Sequence, residues 1–362
     1  MDNKRRISRV VRIGRVPIGG RFPVAIQSMV KAKTSNVPAA LGQIRKLQSA
    51  GCQIVRLAVK DLADARALKK IKQNCRIPVV ADIHFNWRLG MEAIEAGVDK
   101  IRLNPGNIYK KEEVVALARA AKLKGIPIRV GVNSGSVRRK NAGLMKNKVQ
   151  AQEMVKSALE YIKLLEGAGM RDIVVSLKAS DIRQTVIAYR LMAERCNYPF
   201  HLGVTATGPL FSGVIKSSIA IGSLLLEGIG DTIRISLTDE PQQEIKAAKG
   251  ILQALGLGHF GPQIISCPTC GRCEVDLVRL VNDFEKKLGA AQASGRGKFP
   301  KELEVALMGC VVNGPGEAAE ADLGVAFGKK EGILFKNGKP VRKVSFRNCI
   351  TELLKEIRGK KR

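Results

Sequence analysis

The chain is poor in aromatic residues. Phe, Trp and Tyr make up 4% of its 362 residues, with a single Trp. That is too few to supply the stacking platforms on which single-stranded nucleic acid lies. Histidine is scarcer still: there are three, and the last, His259, precedes the main group of cysteines. Acids are also in deficit, 32 Asp+Glu against 62 Lys+Arg, for a formal net charge of +30. The bases are spread along the whole chain rather than gathered in one block. This speaks against a nucleic-acid-binding face and for a basic surface around an anionic small-molecule site. No apolar run reaches the roughly 18 residues that a bilayer span needs. The stretch "SSIAIGSLLLEGIG" comes closest, is broken by Glu227 and its glycines, and reads as a buried helix. The start, "MDNKRRISRVVRIGRV", lacks the apolar stretch and small-residue cleavage site of a secretory signal. A cytoplasmic protein with no membrane or nucleic-acid partner is expected.

Hydrophobic residues, at 45%, are enough for a sizeable core. Eight short β-rich runs alternate with longer amphipathic segments: 24–30, 53–59, 78–84, 100–106, 127–133, 172–180, 200–208 and 232–238. The runs are nearly continuous in apolar residues, as strands buried on both faces are. Several helical segments close with a glycine, among them Gly51, Gly97, Gly125, Gly169 and Gly230, where a C-cap is needed. Eight such units predict an α/β fold, a (β/α)8 TIM-type barrel over residues 1–258. A doubly wound open sheet is disfavoured, because no G-x-G-x-x-G follows the first run. A Gly-rich stretch (256–263) then leads to a small α+β domain over 264–362. Its expected parts are a helix at 273–289, the strand "LEVALMG", the loop "CVVNGPGEA", a hairpin turning at Asn337-Gly338 and a last helix at 346–359.

Active sites of such barrels lie at the C-terminal strand ends. Four runs carry an arginine between aliphatic neighbours: Arg56, Arg102, Arg129 and Arg234. A buried arginine is costly unless paired, and acids in the strands are few, Asp82 being the clearest. The four are expected to converge on a multiply charged anion, whose oxygens suit guanidinium geometry. The alternative is that some face the helix layer and pair with acids there. Asp82 and His84 close the third run, Asn104 follows the fourth, Asn133 the fifth, Lys178 the sixth and Ser236 the eighth. His201, early in the seventh, reads as structural. No Ser-His-Asp triad or closed zinc site is visible, so hydrolysis through a covalent nucleophile is a poor fit.

Of the eight cysteines, Cys52, Cys75, Cys196 and Cys349 are scattered and read as reduced, buried thiols. Cys267, Cys270 and Cys273 stand three apart in "SCPTCGRC", and Cys310 follows in "GCVVNGPGEA". C-x-x-C spacing suits zinc, an iron–sulfur cluster or a redox dithiol. With no second C-x-x-C and no downstream histidine, a [4Fe–4S] cluster is favoured over zinc.

These motifs, with "IQSM", "ADIHFN", "IRLNPGN", "RVGVNSGS", "VSLKAS", "HLGVT" and "GIGDTIRISL", extend over nearly the whole chain. It resembles the 4-hydroxy-3-methylbut-2-en-1-yl diphosphate synthase family in its two-domain bacterial form. The resemblance implies an oxidoreductase of non-mevalonate isoprenoid biosynthesis. Two electrons delivered through a [4Fe–4S] cluster open 2-C-methyl-D-erythritol 2,4-cyclodiphosphate and remove a hydroxyl as water, giving (E)-4-hydroxy-3-methylbut-2-enyl diphosphate. It implies Cys267, Cys270, Cys310 and Glu317 as cluster ligands; Glu317, with Asp82 and His84 at the barrel mouth, is expected in a catalytic role. The expected substrate contacts are Arg56, Arg102, Asn104, Arg129, Asn133, Lys178, Arg234, Ser236 and Asn313. A homodimer in which one subunit's cluster domain covers the other's barrel mouth is implied too, as is an acidic electron donor, ferredoxin or flavodoxin.

Two positions depart from the family pattern. Ala206, in "HLGVTATG", stands where the family usually has a glutamate regarded as a proton donor, which leaves proton delivery to water or to another acid such as Asp82 or Glu317. Cys273 is an additional cysteine, expected on the first turn of the following helix and not as a ligand. The competing readings are another [4Fe–4S] barrel reductase acting on a phosphorylated small molecule, and a basic RNA-binding module. A radical S-adenosylmethionine enzyme would need C-x3-C-x2-C inside the barrel, and that spacing is absent.

Overall fold

A computed structural model describes residues 5–136, 147–293, 300 and 302–359. The chain divides into two compact units, residues 1–258 and 259–362.

The first unit opens with an antiparallel pair, β1 (Val11–Ile13) and β2 (Val16–Ile18). The apolar runs then become eight parallel strands: β3 (Ala25–Met29), β4 (Ile54–Val59), β5 (Val79–Ile83), β6 (Lys100–Leu103), β7 (Ile128–Asn133), β8 (Ile173–Lys178), β9 (His201–Leu202) and β10 (Thr232–Ile233). Their order is β8-β7-β6-β5-β4-β3-β10-β9, and a parallel bridge from Val175 to Phe200 joins the two ends. The sheet is therefore a barrel. Val11, Ile13 and Ile18 pack on Ala25, Ile54, Val80 and Val174 near the strand starts, so the first hairpin plugs the N-terminal end and leaves the C-terminal end as the mouth.

Helices alternate with the strands: α1 (Val37–Ala50), α2 (Leu62–Gln73), α3 (Trp87–Glu95), α4 (Lys111–Leu123), α5 (Asn147–Gly167), α6 (Ile182–Ala193), α7 (Leu210–Leu226) and α8 (Pro241–Ala254). Their starts are written locally. Asn36 caps Ala39 N–H, Asp61 caps Asp64 N–H and Asp181 caps Gln184 N–H. Gly51 closes α1 at φ 99°, a left-handed conformation that glycine adopts without penalty.

Two expectations are corrected here. The seventh and eighth strands are far shorter than their apolar runs, because the chain beyond Leu202 turns into a loop with Ala206 at φ 53° and Gly208 at φ 96°. Helix α7 covers the stretch read as a buried helix, but only one face of it is covered within the unit: Phe211, Ile215, Ile219 and Leu226 are exposed.

The second unit is a five-stranded mixed sheet with three helices: β11 (Gln263–Ser266), α9 (Leu277–Ala293), β12 (Glu304–Met308), α10 (Gly314–Glu320), β13 (Leu323–Phe327), β14 (Gly332–Lys336), β15 (Lys339–Val344) and α11 (Cys349–Gly359). Strands β11, β12 and β13 are parallel, and β13-β14-β15 form an antiparallel meander. The β14–β15 turn is Asn337-Gly338, both at positive φ. Leu280, Phe284 and Leu288 of α9 and Leu353 and Ile357 of α11 share one core with Val305, Leu307, Val325 and Phe327. Cys273 is not on a helix: α9 begins at Leu277, after Asp276 has capped Arg279 N–H. The stretch read as a loop after Cys310 contains α10, with a proline in its first turn.

Candidate active site

Side chains alternate across a strand, so every second residue of β4 to β8 points into the barrel. In the upper layer these are Arg56, Asp82, Arg102, Arg129 and Lys178. They line a cavity of about 130 Å³ at the mouth together with His84, Asn133, Ser176, Val204, Thr205, Arg234 and Ser236. Arg56, Arg102 and Arg129 on the strands and Arg234 just beyond β10 thus do converge.

Asp82, 4% exposed, is the hub. Its Oδ1 accepts from Arg102 Nη1 at 3.1 Å, while its Oδ2 lies 3.6 Å from Arg56 Nε and 3.5 Å from His84 Nε2. Burial pushes its carboxyl up, but Arg56 and Arg102, with His84 and Arg129 behind them, outweigh this and hold it well below the usual carboxylate range. Arg56 is pushed down to about 10, chiefly by burial. Arg102 Nη2 also donates to Gly131 O at 3.2 Å. Arg234 is held from outside the strand layer: its Nη2 lies 3.6 Å from Glu244 Oε1 on α8, and Glu244 Oε2 accepts from Ser28 Oγ. For this one arginine the helix-acid alternative also holds, although the side chain still lines the cavity.

Positive charge outweighs negative. Arg129 is 1% exposed, and its Nε and Nη1 have no partner among the described residues; nor do Arg102 Nε and Arg234 Nε. Lys178 is driven well below its ordinary value, first by burial, then by Arg129, Arg234, Arg56 and Arg102. Beneath them the fully buried Lys100 reaches Gln27 Oε1 at 3.5 Å, its one hydrogen-bond partner among the described residues. Buried donors without acceptors mark where a polyanion's oxygens belong.

Asn104 behaves differently from the expectation. Its Oδ1 accepts from Gly106 N–H and Ser136 Oγ, so it braces the loop after β6 and is not among the residues lining the cavity. His201 is fully buried, with Nδ1 2.7 Å from Thr232 Oγ1, and burial drives it well below its ordinary value; it is a neutral core residue. Ser176 was legible two residues before Lys178, on the same strand face. Glu244 carried no signal, since a helix acid gives no hint of which strand it will meet. The pocket is tight: a Cβ on Gly131 would lie 2.7 Å from Arg102 Nε. Gly131→Ala is therefore expected to turn the Arg102 fork off Asp82 and raise KM on the order of tenfold, about 1.4 kcal/mol. An unchanged KM would show that Arg102 yields freely.

In the second unit the loops carrying the cysteines leave the same end of adjacent parallel strands. Ser266, the last residue of β11, lies beside Leu307 of β12; Cys267 follows one and Cys310 the other. Glu274 N–H donates to Gly309 O at 2.8 Å, which ties the two loops together. The backbone N–H groups of Asn313 and Val312, with that of Gly314 and the charge of Arg272, outweigh desolvation and hold the Cys310 thiol below its usual range. Glu317 is exposed on α10, one turn beyond Asn313, whose carbonyl accepts its N–H. Among the described residues no three Cys, His, Asp or Glu side chains are yet drawn together as a metal site. The donor set nonetheless suits iron: two loop thiols, a favoured thiolate and a carboxylate on neighbouring segments.

Comparison with known proteins agrees with both units. Residues 8–249 match the GcpE TIM-barrel domain, and residues 263–359 match the GcpE protein C-terminal domain. The chain is 48% identical over 350 residues to a 4-hydroxy-3-methylbut-2-en-1-yl diphosphate synthase (flavodoxin) of Clostridium acetobutylicum, covering 97% of this chain and 98% of that one. It is 48% identical over 354 residues to the protein of the same name in Ruminiclostridium cellulolyticum, covering 98% of each. Among solved structures, dihydropteroate synthase from Stenotrophomonas maltophilia matches with a TM-score of 0.53 at 15% identity, over 69% of this chain and 98% of that one. At that identity the likeness concerns the fold alone.

Proposed function

The chain belongs to the GcpE family, and from that premise we propose how its residues divide the work of a 4-hydroxy-3-methylbut-2-en-1-yl diphosphate synthase. The reaction is the reductive ring opening of 2-C-methyl-D-erythritol 2,4-cyclodiphosphate in non-mevalonate isoprenoid biosynthesis. It consumes two electrons and a proton, and the departing hydroxyl leaves as water.

The observation that carries the assignment is the surplus of buried guanidinium donors around one carboxylate at the barrel mouth. Arg56, Arg102, Arg129, Arg234 and Lys178 hold the diphosphate, with Asn133, Ser176 and Ser236 turned to its remaining oxygens. Asp82 keeps the arginines in register. Being held ionised, it has no proton to give, so the expectation that it delivers one is replaced by an anchoring role. His84, beside it and partly open to the mouth, is the group proposed to pass the proton.

Family enzymes are iron–sulfur proteins. Cys267, Cys270, Cys310 and Glu317 would hold the group, a [4Fe–4S] cluster, which when bound supplies the two electrons. Asn313 presents its backbone N–H to Cys310 and is proposed to orient substrate from the cluster side. The relatives' name indicates flavodoxin as the donor. The working form is proposed to be a cytoplasmic homodimer; among the described residues no helix is long and apolar enough to cross a membrane.

Anaerobic purification tests the reading. A brown protein with iron and sulfide in equal amounts, turning over the cyclodiphosphate with dithionite and a mediator dye, is expected. A colourless zinc protein would overturn it.

A further inference from the structure

We propose that Phe85 is a positioning residue for the reaction: the turn it forms and the ring it carries hold the His84 imidazole in place at the barrel mouth. This deepens the proposed function, and it rests on the reading of His84 as the group that passes the proton.

Among the described residues four that are not glycine have positive φ: Phe85 at 55°, Ala206 at 53°, Thr269 at 59° and Asn337 at 47°. Asn337 sits in a hairpin turn, where such a conformation is required. The other three stand in loops of the candidate site. Phe85 follows His84, Ala206 follows Thr205, and Thr269 lies between Cys267 and Cys270. Phe85 is the bulkiest of them. A left-handed backbone crowds Cβ against the following carbonyl oxygen, so glycine, asparagine and aspartate are the usual occupants and a large side chain is an outlier.

Neither core packing nor substrate contact accounts for a phenylalanine here. Phe85 is 75% exposed, so burial does not offset the strain. It is not among the residues lining the mouth cavity, although His84 is. What it does meet is its neighbour. The rings of His84 and Phe85 have centroids 6.3 Å apart and are tilted by 40°, within the range of aromatic pairs.

The backbone supplies a second link. Asn86 N–H donates to His84 O at 2.6 Å. This i→i+2 bond closes a γ-turn centred on Phe85, and a positive φ at the centre makes it the rare, strained form. The turn is enforced from both sides. Strand β5 ends at Ile83 and α3 begins at Trp87, which leaves three residues for the connection. Asn86 must also cap the helix, its Oδ1 accepting from Arg88 N–H at 3.0 Å. Strain of this kind persists where the surroundings over-determine it, and it gathers at functional sites. The imidazole is thus held between Asp82 Oδ2, 3.5 Å from its Nε2, and the ring of Phe85, on a backbone that the turn fixes. Proton transfer depends on such fixing, because a displaced donor costs rate while the diphosphate binds as before.

Steady-state kinetics of the anaerobic holoenzyme with the cyclodiphosphate, dithionite and a mediator dye test the proposal, together with melting temperature and iron content. Phe85→Gly relieves the backbone and removes the ring. Its kcat is expected to fall about tenfold while KM changes by less than about twofold, and its melting temperature is expected to stay level or rise. Phe85→Tyr keeps the ring and is expected to recover kcat to within about twofold of the wild type. In a His84→Asn background Phe85→Gly is expected to add no further loss, since a residue that acts through another has no effect once the other is gone. Wild-type kcat in Phe85→Gly overturns the proposal. So does a fall in kcat that comes with a lower melting temperature, which would make Phe85 a mere support of the loop. An equal fall in both backgrounds overturns it too, because the effect would then be independent of His84. Full kcat in His84→Asn would overturn the role of His84 and this proposal with it, whereas a loss confined to His84→Asn overturns this proposal alone.

Discussion

Serine at position 310 is expected to strip the protein of its cluster, whereas serine at position 273 leaves the iron content unchanged. The two thiols are close in space and differ in what surrounds them. Cys310 follows β12 and faces the N–H groups of Val312, Asn313 and Gly314, which favour the thiolate, the form that binds metal. A serine hydroxyl does not ionise there and is a hard, weak ligand for iron. The loss should exceed the roughly 10–100-fold in affinity that removal of a merely supporting partner costs. Cys273 is occupied otherwise. Its Sγ donates to Val275 O at 3.2 Å and lies 2.3 Å from the place a Cβ on Gly309 would take, so it fills the space above the residue preceding Cys310. Iron and acid-labile sulfide, together with the visible absorption of the anaerobically purified protein before reduction, measure the outcome. An iron-free Cys273→Ser variant beside a loaded Cys310→Ser variant would reassign the ligands.

The barrel was legible because its strands are buried on both faces and so read as apolar runs with few polar interruptions, several of which line the cavity. An arginine at the third residue of "IVRLAV" or "KIRL" has no reason to be there unless the barrel mouth needs it, and all four lined the cavity. Periodicity was silent about what supports them. Glu244 looks like any acid in the first turn of a helix, and only the closing of β10 onto β3 brings it to Arg234. Asn104 failed in the opposite way. An amide at a strand end suits a phosphate oxygen and a tight loop equally well, and the chain spent it on Gly106 and Ser136. The length of the last two strands was misread because apolar residues in "HLGV" and "TIRISL" line the mouth as well as build sheet. Helix α7 was misread because an apolar sequence marks a helix for burial without saying which of its faces the unit covers.

Asp82→Asn is expected to cost both stability and catalysis, since it removes the one negative charge inside the cavity while keeping the side-chain volume. Arg56 and Arg102 are 8% and 5% exposed and would be left buried against Arg129 and Lys178 with no acid among the residues lining the cavity. Breaking a buried pair in this way costs roughly 3–5 kcal/mol. The guanidinium groups would also spread, so that kcat/KM falls on the order of 100-fold, about 3 kcal/mol of transition-state stabilisation. The acid limb of the stability profile gives an independent reading. The folded-state carboxyl of Asp82 lies below its ordinary value of 3.8. Its contribution is therefore fully present above that value and is lost as the pH falls from there toward the folded value. The wild type should lose thermal stability through that window, and Asp82→Asn should lose less over the same range. Diphosphate should then rescue the variant's melting temperature by more than it raises that of the wild type, because an added polyanion supplies the charge that asparagine lacks. A variant with wild-type melting temperature, KM and acid limb would mean that the arginines hold their places without Asp82, and the anchoring role would fall.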